Sequence, residues 1–151
     1  MDPVSDFFAA ELPLLERLKA KVPTAATVVS GVDMAGLQKM PFALPAIYVM
    51  FNEYRVTQQQ ILTGKVQVEE VWLIVVAARN LVTAQTGLTA RQEAGPLLAQ
   101  IIQAISGWMP EDSLYESPFK LIQGAPRWWY HDGLLHYPLA FSILVPFSGE
   151  P

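Results

Sequence analysis

The stretch Thr63–Asn80, TGKVQVEEVWLIVVAARN, decides the fold. It reads as one long β-strand with two unlike halves. Across Lys65–Glu69 the residues alternate: Val66 and Val68 face one way, Lys65, Gln67 and Glu69 the other. That is the period of a half-buried strand. From Val71 to Ala78 the alternation is lost, and VWLIVVAA is apolar on both faces. A strand of this kind needs cover on both sides, from helices or from another subunit. One half therefore lies in a core, and the other reaches outward as an amphipathic arm.

Working outward, Ala46–Phe51 reads as the preceding strand and continues through NEYRVTQQQ with rising polarity. Only the turn at Leu62–Gly64 separates the two, which predicts a long hairpin with a polar tip. Its outer part, Tyr54 to Gln67, has too few apolar residues to belong to the core. Further upstream, Thr27–Ser30 is a short β-branched run that reads as a strand. Between these strands Asp33–Pro45 reads as an ordered loop.

The N-terminal segment predicts a helix opening at Asp2-Pro3, with a stripe of Phe8, Leu12, Leu15, Leu18 and Val22. Pro13 predicts a kink in it, and Pro23 ends it. Downstream, Thr89-Ala90-Arg91-Gln92 fits a capping box. The helix it opens carries Leu97, Leu98, Ile101, Ile102 and Ile105, kinks at Pro96 and closes at Gly107, with Pro110 beyond. It would cover one face of VWLIVVAA. Phe119–Gln123 is a short strand. Arg127–Tyr130 and Leu134–Val145 flank the turn signal His131-Asp132-Gly133. Pro138 predicts an edge or a bulge in the last strand. The sum is one α+β domain over residues 1–151: a mixed or antiparallel sheet with a long hairpin, packed against two main helices.

Composition narrows the functional classes. Of the 151 residues, 52% are hydrophobic and 16% charged, against about 25% charged in ordinary domains. Such a shortage of charge favours burial of surface against partners. The net charge is −4 and the ten Lys and Arg are scattered. Grip on nucleic acid comes from clustered cations, so it is disfavoured here. The absence of cysteine removes disulfides, thiolate metal sites and thiol nucleophiles. No signal peptide is legible in MDPVSDFF, and no uncharged apolar run reaches the length of about 18 residues that a membrane span needs. The expectation is a protein that starts out in the cytoplasm and has no membrane partner.

Chemistry-bearing constellations are thin. A two-residue turn at Asp132-Gly133 pairs Trp129 with His136, Tyr130 with Leu135 and His131 with Leu134. It places His131 and His136 on one face, roughly 7–8 Å apart. Two imidazoles need a third ligand to hold a metal, and none is fixed nearby. Glu69 and Glu70 are strand neighbours pointing to opposite faces, so they cannot share a proton. Glu70 falls on the face of Val68 and Trp72, which implies either a bulge or an arginine partner, in this subunit or the next. The spacing of Glu111, Asp112 and Glu116 does not match a calcium loop. Neither a phosphate-cradling glycine loop nor a GxSxG elbow occurs. In Trp128-Trp129-Tyr130 neighbours point to opposite faces, so one tryptophan suits the core and the other an interface. No cofactor is implied.

With this order of elements the chain resembles phage tail terminator proteins, the family of lambda-like and Mu-like phages and prophages. The likeness rests on TGKVQVEEVWLIVVAARN, ARQEAGPLLAQIIQAISGW and APRWWYHDGLLHYPLAF. It implies a small α+β subunit, non-enzymatic, that forms a hexameric ring at the head-proximal end of the tail. There the ring stops polymerisation of the tube and offers a surface to the neck of the capsid. The implied partners are other copies of the chain, the tail tube protein and a head–tail connector, while DNA passes through without specific binding.

Interface residues expected on this reading are Tyr54, Arg55, Gln58, Gln60, Lys65 and Gln67 on the hairpin. Trp128 and Trp129 join them, as does an intersubunit ion pair of Glu70 with Arg79. The rival readings are a head–tail connector or neck protein, a small enzyme built on His131, Asp132 and His136, and a peptide-binding module using the tryptophans.

Overall fold

The computed structural model of the chain describes residues 5–31, 43–79, 88–110, 115–131 and 133–149. The elements run α1 (Glu11–Lys21), β1 (Thr27–Ser30), β2 (Ala46–Gln60), β3 (Lys65–Arg79), α2 (Leu88–Ile105), β4 (Lys120–Ile122), β5 (Trp129–His131) and β6 (Leu134–Ser148). They build a six-stranded mixed sheet in the order β1-β2-β3-β6-β4, with β5 also on β6. The β1–β2 pair is parallel and the others are antiparallel. This is the expected α+β architecture.

The two halves of β3 behave as their sequence requires. From Glu70 to Ala78 every residue is buried, whereas toward Lys65 the strand is partly exposed, with only Val68 buried. One face of the buried half carries Trp72, Ile74, Val76 and Ala78, which join Leu14, Leu18, Ala94, Leu97 and Ile101 of the two helices in the main core. On the other face Val71, Leu73, Val75 and Ala77 form a second cluster with Ala46, Tyr48 and Ala140, packed by Leu44, Ile122, Ala125 and Trp129. Both covers come from this chain, so the doubly apolar strand does not itself demand a neighbour.

One local expectation is corrected by long-range pairing, and two are met. β6 runs beside β3 along its whole length, from Arg79↔Leu134 to Lys65↔Ser148. The arm is therefore a three-stranded ribbon of β2, β3 and β6, not a free hairpin. Pro138 lies well inside β6, in unbroken register with Val75. It is tolerated because the opposite side of β6 pairs β5 at Leu134–His136 and β4 at Ala140–Ser142, leaving residues 137–139 a local edge. The turn pairing around residues 131–134 follows the expected register, Trp129↔His136, Tyr130↔Leu135 and His131↔Leu134.

The helices also begin elsewhere than their signals suggest. α1 starts at Glu11, so Pro13 occupies its first turn, where a missing N–H goes unnoticed. The buried stripe is Ala10, Leu14, Leu18 and Val22, and Leu12 is exposed. Its N-cap, Ala10, has no side-chain cap, and in the turn before it Asp6 Oδ1 accepts from Phe8 N–H at 2.9 Å. α2 begins at Leu88, which puts Thr89 within the helix and not at the N-cap, and it runs on through Pro96. Gly107 follows it with φ +81°, a left-handed conformation that suits glycine. The start at Asp2-Pro3, most of the Asp33–Pro45 loop and the turn residue Asp132 lie outside the described residues.

Candidate assembly interface

The outer arm begins where β2 leaves the core. Its register with β3 slips between Phe51 and Glu53 and again between Val56 and Gln58, so Asn52 and Thr57 are bulges. Bulges bend and twist an edge strand and blunt its tendency to pair indiscriminately. Beyond Met50 the strand is exposed almost throughout, ending at Gln60. About seven residues of strand, on the order of 23 Å, separate Tyr54 from the tip.

Polar residues of the arm are mostly tied to one another. Arg55 Nη2 and Glu69 Oε1 form an ion pair at 2.5 Å across the two strands. Thr57 Oγ1 donates to Gln67 Oε1 at 2.8 Å, and Gln67 Nε2 donates to Glu116 Oε2. Thr63 Oγ1 donates to Gln60 Oε1 at 3.0 Å. Gln58, Gln59, Gln60, Lys65, Gln67 and Glu116 line one shallow depression. The expected Gln58, Gln60, Lys65 and Gln67 thus come together, with Arg55 paired on the same arm.

The tip is not polar. Ile61 and Leu62 are 87% and 101% exposed, the most solvent-accessible large apolar residues described. They sit in a turn held firmly at its base. Gly64 N–H donates to Gln60 O at 2.9 Å, and Gly149 N–H donates to Gly64 O at 2.7 Å. Gly64 has φ +69°, and a Cβ there would stand 3.2 Å from the Gly149 backbone. So the end of β6 is packed against the turn and holds two apolar side chains in water. The expected polar tip is thus corrected: glutamines 58–60 lead into it, but Ile61 and Leu62 form it.

At the root of the arm an aromatic cluster was not legible in the sequence. Phe7 contacts Tyr54 edge-on and stacks on Phe147, with centroids 5.3 and 5.5 Å apart. Phe8 meets Phe51 and Trp72 edge-on at 5.2 and 6.4 Å. Phe8, Leu12, Tyr54 and Val56 remain exposed beside this cluster. The preceding segment, not only the strands, therefore contributes apolar surface to the arm.

Glu70 is only 1% exposed. Its Oε1 accepts from Trp72 Nε1–H at 3.2 Å, and its Oε2 has no partner among the described residues. β3 runs past Glu70 without a bulge, in unbroken register with β6, so Glu70 stays on the face of Trp72; the nearest bulge is on the opposite strand at Asn52, and among the described residues no arginine pairs with Glu70. Arg79 lies at the far end of β3, opposite Leu134. Burial pushes the Glu70 carboxyl up to about 7; the Trp72 hydrogen bond opposes this and the nearby Asp6 charge adds to it.

On the opposite face of the sheet His136 is buried, shares a 2.8 Å hydrogen bond with the Tyr48 hydroxyl and stacks on Trp129 at 5.0 Å. Burial lowers its pKa to about 4; the charge of His131 lowers it too, and the His131 backbone partly opposes. Burial also raises the Tyr48 phenol. A neutral imidazole wedged between tyrosine and tryptophan is a packed core group. Among the described residues no three His, Asp or Glu side chains are placed to hold a metal. Of the two tryptophans, Trp129 packs inward on His136, while Trp128 is exposed with the Arg127 guanidinium over its ring at 5.9 Å. Among the described residues no helix is long and apolar enough to cross a membrane.

A family model described as phage tail terminator protein matches residues 4–148. No curated protein matches. Among solved structures, a chain from the virion of a native gene transfer agent particle is similar in fold, with a TM-score of 0.51 and 19% identity. That match covers 95% of this chain and 100% of the other.

Proposed function

This chain belongs to the phage tail terminator protein family, structural proteins of the virion tail, and from that premise we propose that it closes the tail tube. Six copies form a ring on the head-proximal end of the tube, stop its growth and present a docking surface to the head–tail connector. The observation that carries the reading is the arm: a ribbon of three strands, outside the core, ending in two bare apolar side chains.

The mechanism is geometric. A tube grows because the two faces of each ring are complementary, a head-to-tail contact that never closes along the axis. A terminator matches one face of the last ring and offers a different one beyond it, so no further ring adds. The arms supply contacts between subunits or to the tube through Tyr54, Gln58, Gln60, Lys65, Gln67 and the tip. Trp128, Arg79 and the part of Trp129 that its stacking on His136 leaves exposed are the proposed contacts from the body of the subunit. Glu70, placed in an interface ion pair on sequence grounds, would need the residues over it to move before a neighbour could reach it. A net charge of −4 with no basic stripe suits a passage through which DNA slides without sticking. The role requires no catalysis and no cofactor.

Deleting the gene, inducing the phage and imaging the lysate by negative-stain electron microscopy tests this. Overlong tails of variable length, unattached to filled heads, are expected. Tails of normal length left unjoined would move the assignment to a connector, and intact infectious particles would overturn both.

A further inference from the structure

The segment Ser5–Ala10 lies across the root of the arm, and directly in that region sits a carboxyl group that the fold does not satisfy. Glu70 Oε2 has no hydrogen-bond partner among the described residues although the side chain is 1% exposed. The segment above is held by few contacts. Asp6 Oδ1 accepts from Phe8 N–H, Ala9 N–H donates to Asp6 O at 3.2 Å, and Glu11 N–H donates to Phe8 O at 3.1 Å. The remaining hold is aromatic, Phe7 against Phe51, Tyr54 and Phe147 and Phe8 against Phe51 and Trp72, with Ala10 at the segment's end anchored in the main core and Ala9 packed on it. Phe8 is itself half out in water.

We propose that Glu70 and the Ser5–Ala10 segment form a proton-operated latch at the root of the arm. While the carboxyl is neutral, Phe7 and Phe8 stay seated; when it ionises, the segment lifts. Lifting lets water reach the carboxylate and moves the Asp6 charge away from it. Both changes relieve a buried, uncompensated anion, whose cost in place is large. Release also uncovers Phe51, Tyr54, Trp72 and Phe147, an apolar strip continuous with Val56. The latch does not depend on the chain's capping a tube.

The groups around Glu70 fit such a device. Asp6 is the charged group that acts on it from the N-terminal segment. Its register partners are the Tyr54 phenol on β2 and the apolar Ile143 on β6. Glu53, opposite Val71, falls on the other face of the sheet, as do the paired Arg55 and Glu69. On α1, Arg17 is turned to α2, where its Nε donates to Ala104 O at 3.0 Å. On α2, Arg91 is exposed. Among the described residues no ion pair to the carboxyl is formed.

Hydrogen exchange of the Phe8, Ala9 and Glu11 amides, corrected for intrinsic rates, tests the latch between pH 5.5 and 8.5, with the Ile74 amide as a core control. If the lifted carboxyl titrates near 4.5 and the seated one near 7, protection of the segment falls about 30-fold over this range while Ile74 stays protected. Glu70→Gln should abolish the pH dependence. Asp6→Asn keeps the Oδ1 acceptor for Phe8 and removes the charge, so the transition should move to lower pH; it also decides the matter if Glu70→Gln fails to fold. Flat protection in the natural chain, loss in step with Ile74, the same loss in Glu70→Gln, or an unmoved midpoint in Asp6→Asn would each overturn the proposal.

Discussion

Tyr48 and His136 are joined by a 2.8 Å hydrogen bond between strands that are not neighbours, with β3 lying between them. The bond spans the second face of the sheet, above Val75 and Ala77, and Trp129 covers it. The imidazole is buried and stacked. The bond's consequence is structural.

Removing the hydroxyl with Tyr48→Phe should destabilise the fold by about 1–3 kcal/mol, because His136 Nδ1 then loses its buried partner. The double variant Tyr48→Phe/His136→Phe should cost less than the sum of the single changes. Denaturant unfolding of the four chains measures this coupling; strict additivity would count against the bond.

Glu70 and His136 set opposite pH limbs. The folded Glu70 carboxyl is raised from 4.5 to about 7. Its contribution is therefore complete below pH 4.5 and is lost as pH rises through 7, since the folded state then holds the extra proton. His136 is lowered from 6.5 to about 4. Its contribution is complete above pH 6.5 and is lost as pH falls through 4, where the unfolded state holds the extra proton. Between 4.5 and 6.5 the two slopes oppose, so the natural chain should show a plateau there. Glu70→Gln should remove the fall near pH 7 and leave stability rising from pH 4 to 6.5. Urea unfolding across pH 4–8 reads both limbs.

Trp72 should be among the costliest residues to truncate. It is fully buried, meets Phe8 and Phe51 edge-on and donates to Glu70. Trp72→Ala combines a large cavity with an orphaned carboxyl, for an expected loss of about 3–5 kcal/mol. The exposed Arg55–Glu69 pair is the contrast. Glu69→Gln should change stability by less than about 1 kcal/mol. Chemical denaturation of the two variants should separate them clearly.

Ile61→Ser with Leu62→Ser should leave stability within about 0.5 kcal/mol, since neither side chain is packed against this chain. The same double change should abolish joining of tails to heads, as counted by electron microscopy of the lysate. Normal particles from this variant would remove the tip from the proposed interface.

Periodicity and composition made much of this legible. The alternation of Lys65–Glu69 and the unbroken VWLIVVAA are local patterns, and a strand must bury what its pleat places on each face. Asp132-Gly133 between apolar runs likewise specified the pairing of Trp129 with His136. The exposure of Tyr54, Gln58, Gln60 and Lys65 followed from their polarity. What sequence by itself determined was thus the class of fold, the central strand and the existence of an arm.

Only the tertiary structure decided how those parts meet. That β6 makes the arm three-stranded depends on which strand lies beside β3, a pairing across some 70 residues that no local pattern encodes. The same holds for Phe8, which read as a member of a helical stripe and instead, with Phe7, covers the root of the arm. Glu70 illustrates the reason most plainly. Its place in the strand predicted an anomaly, but the outcome depended on the Trp72 indole and Asp6. A side chain's register is written locally; what surrounds it is settled only when distant segments pack.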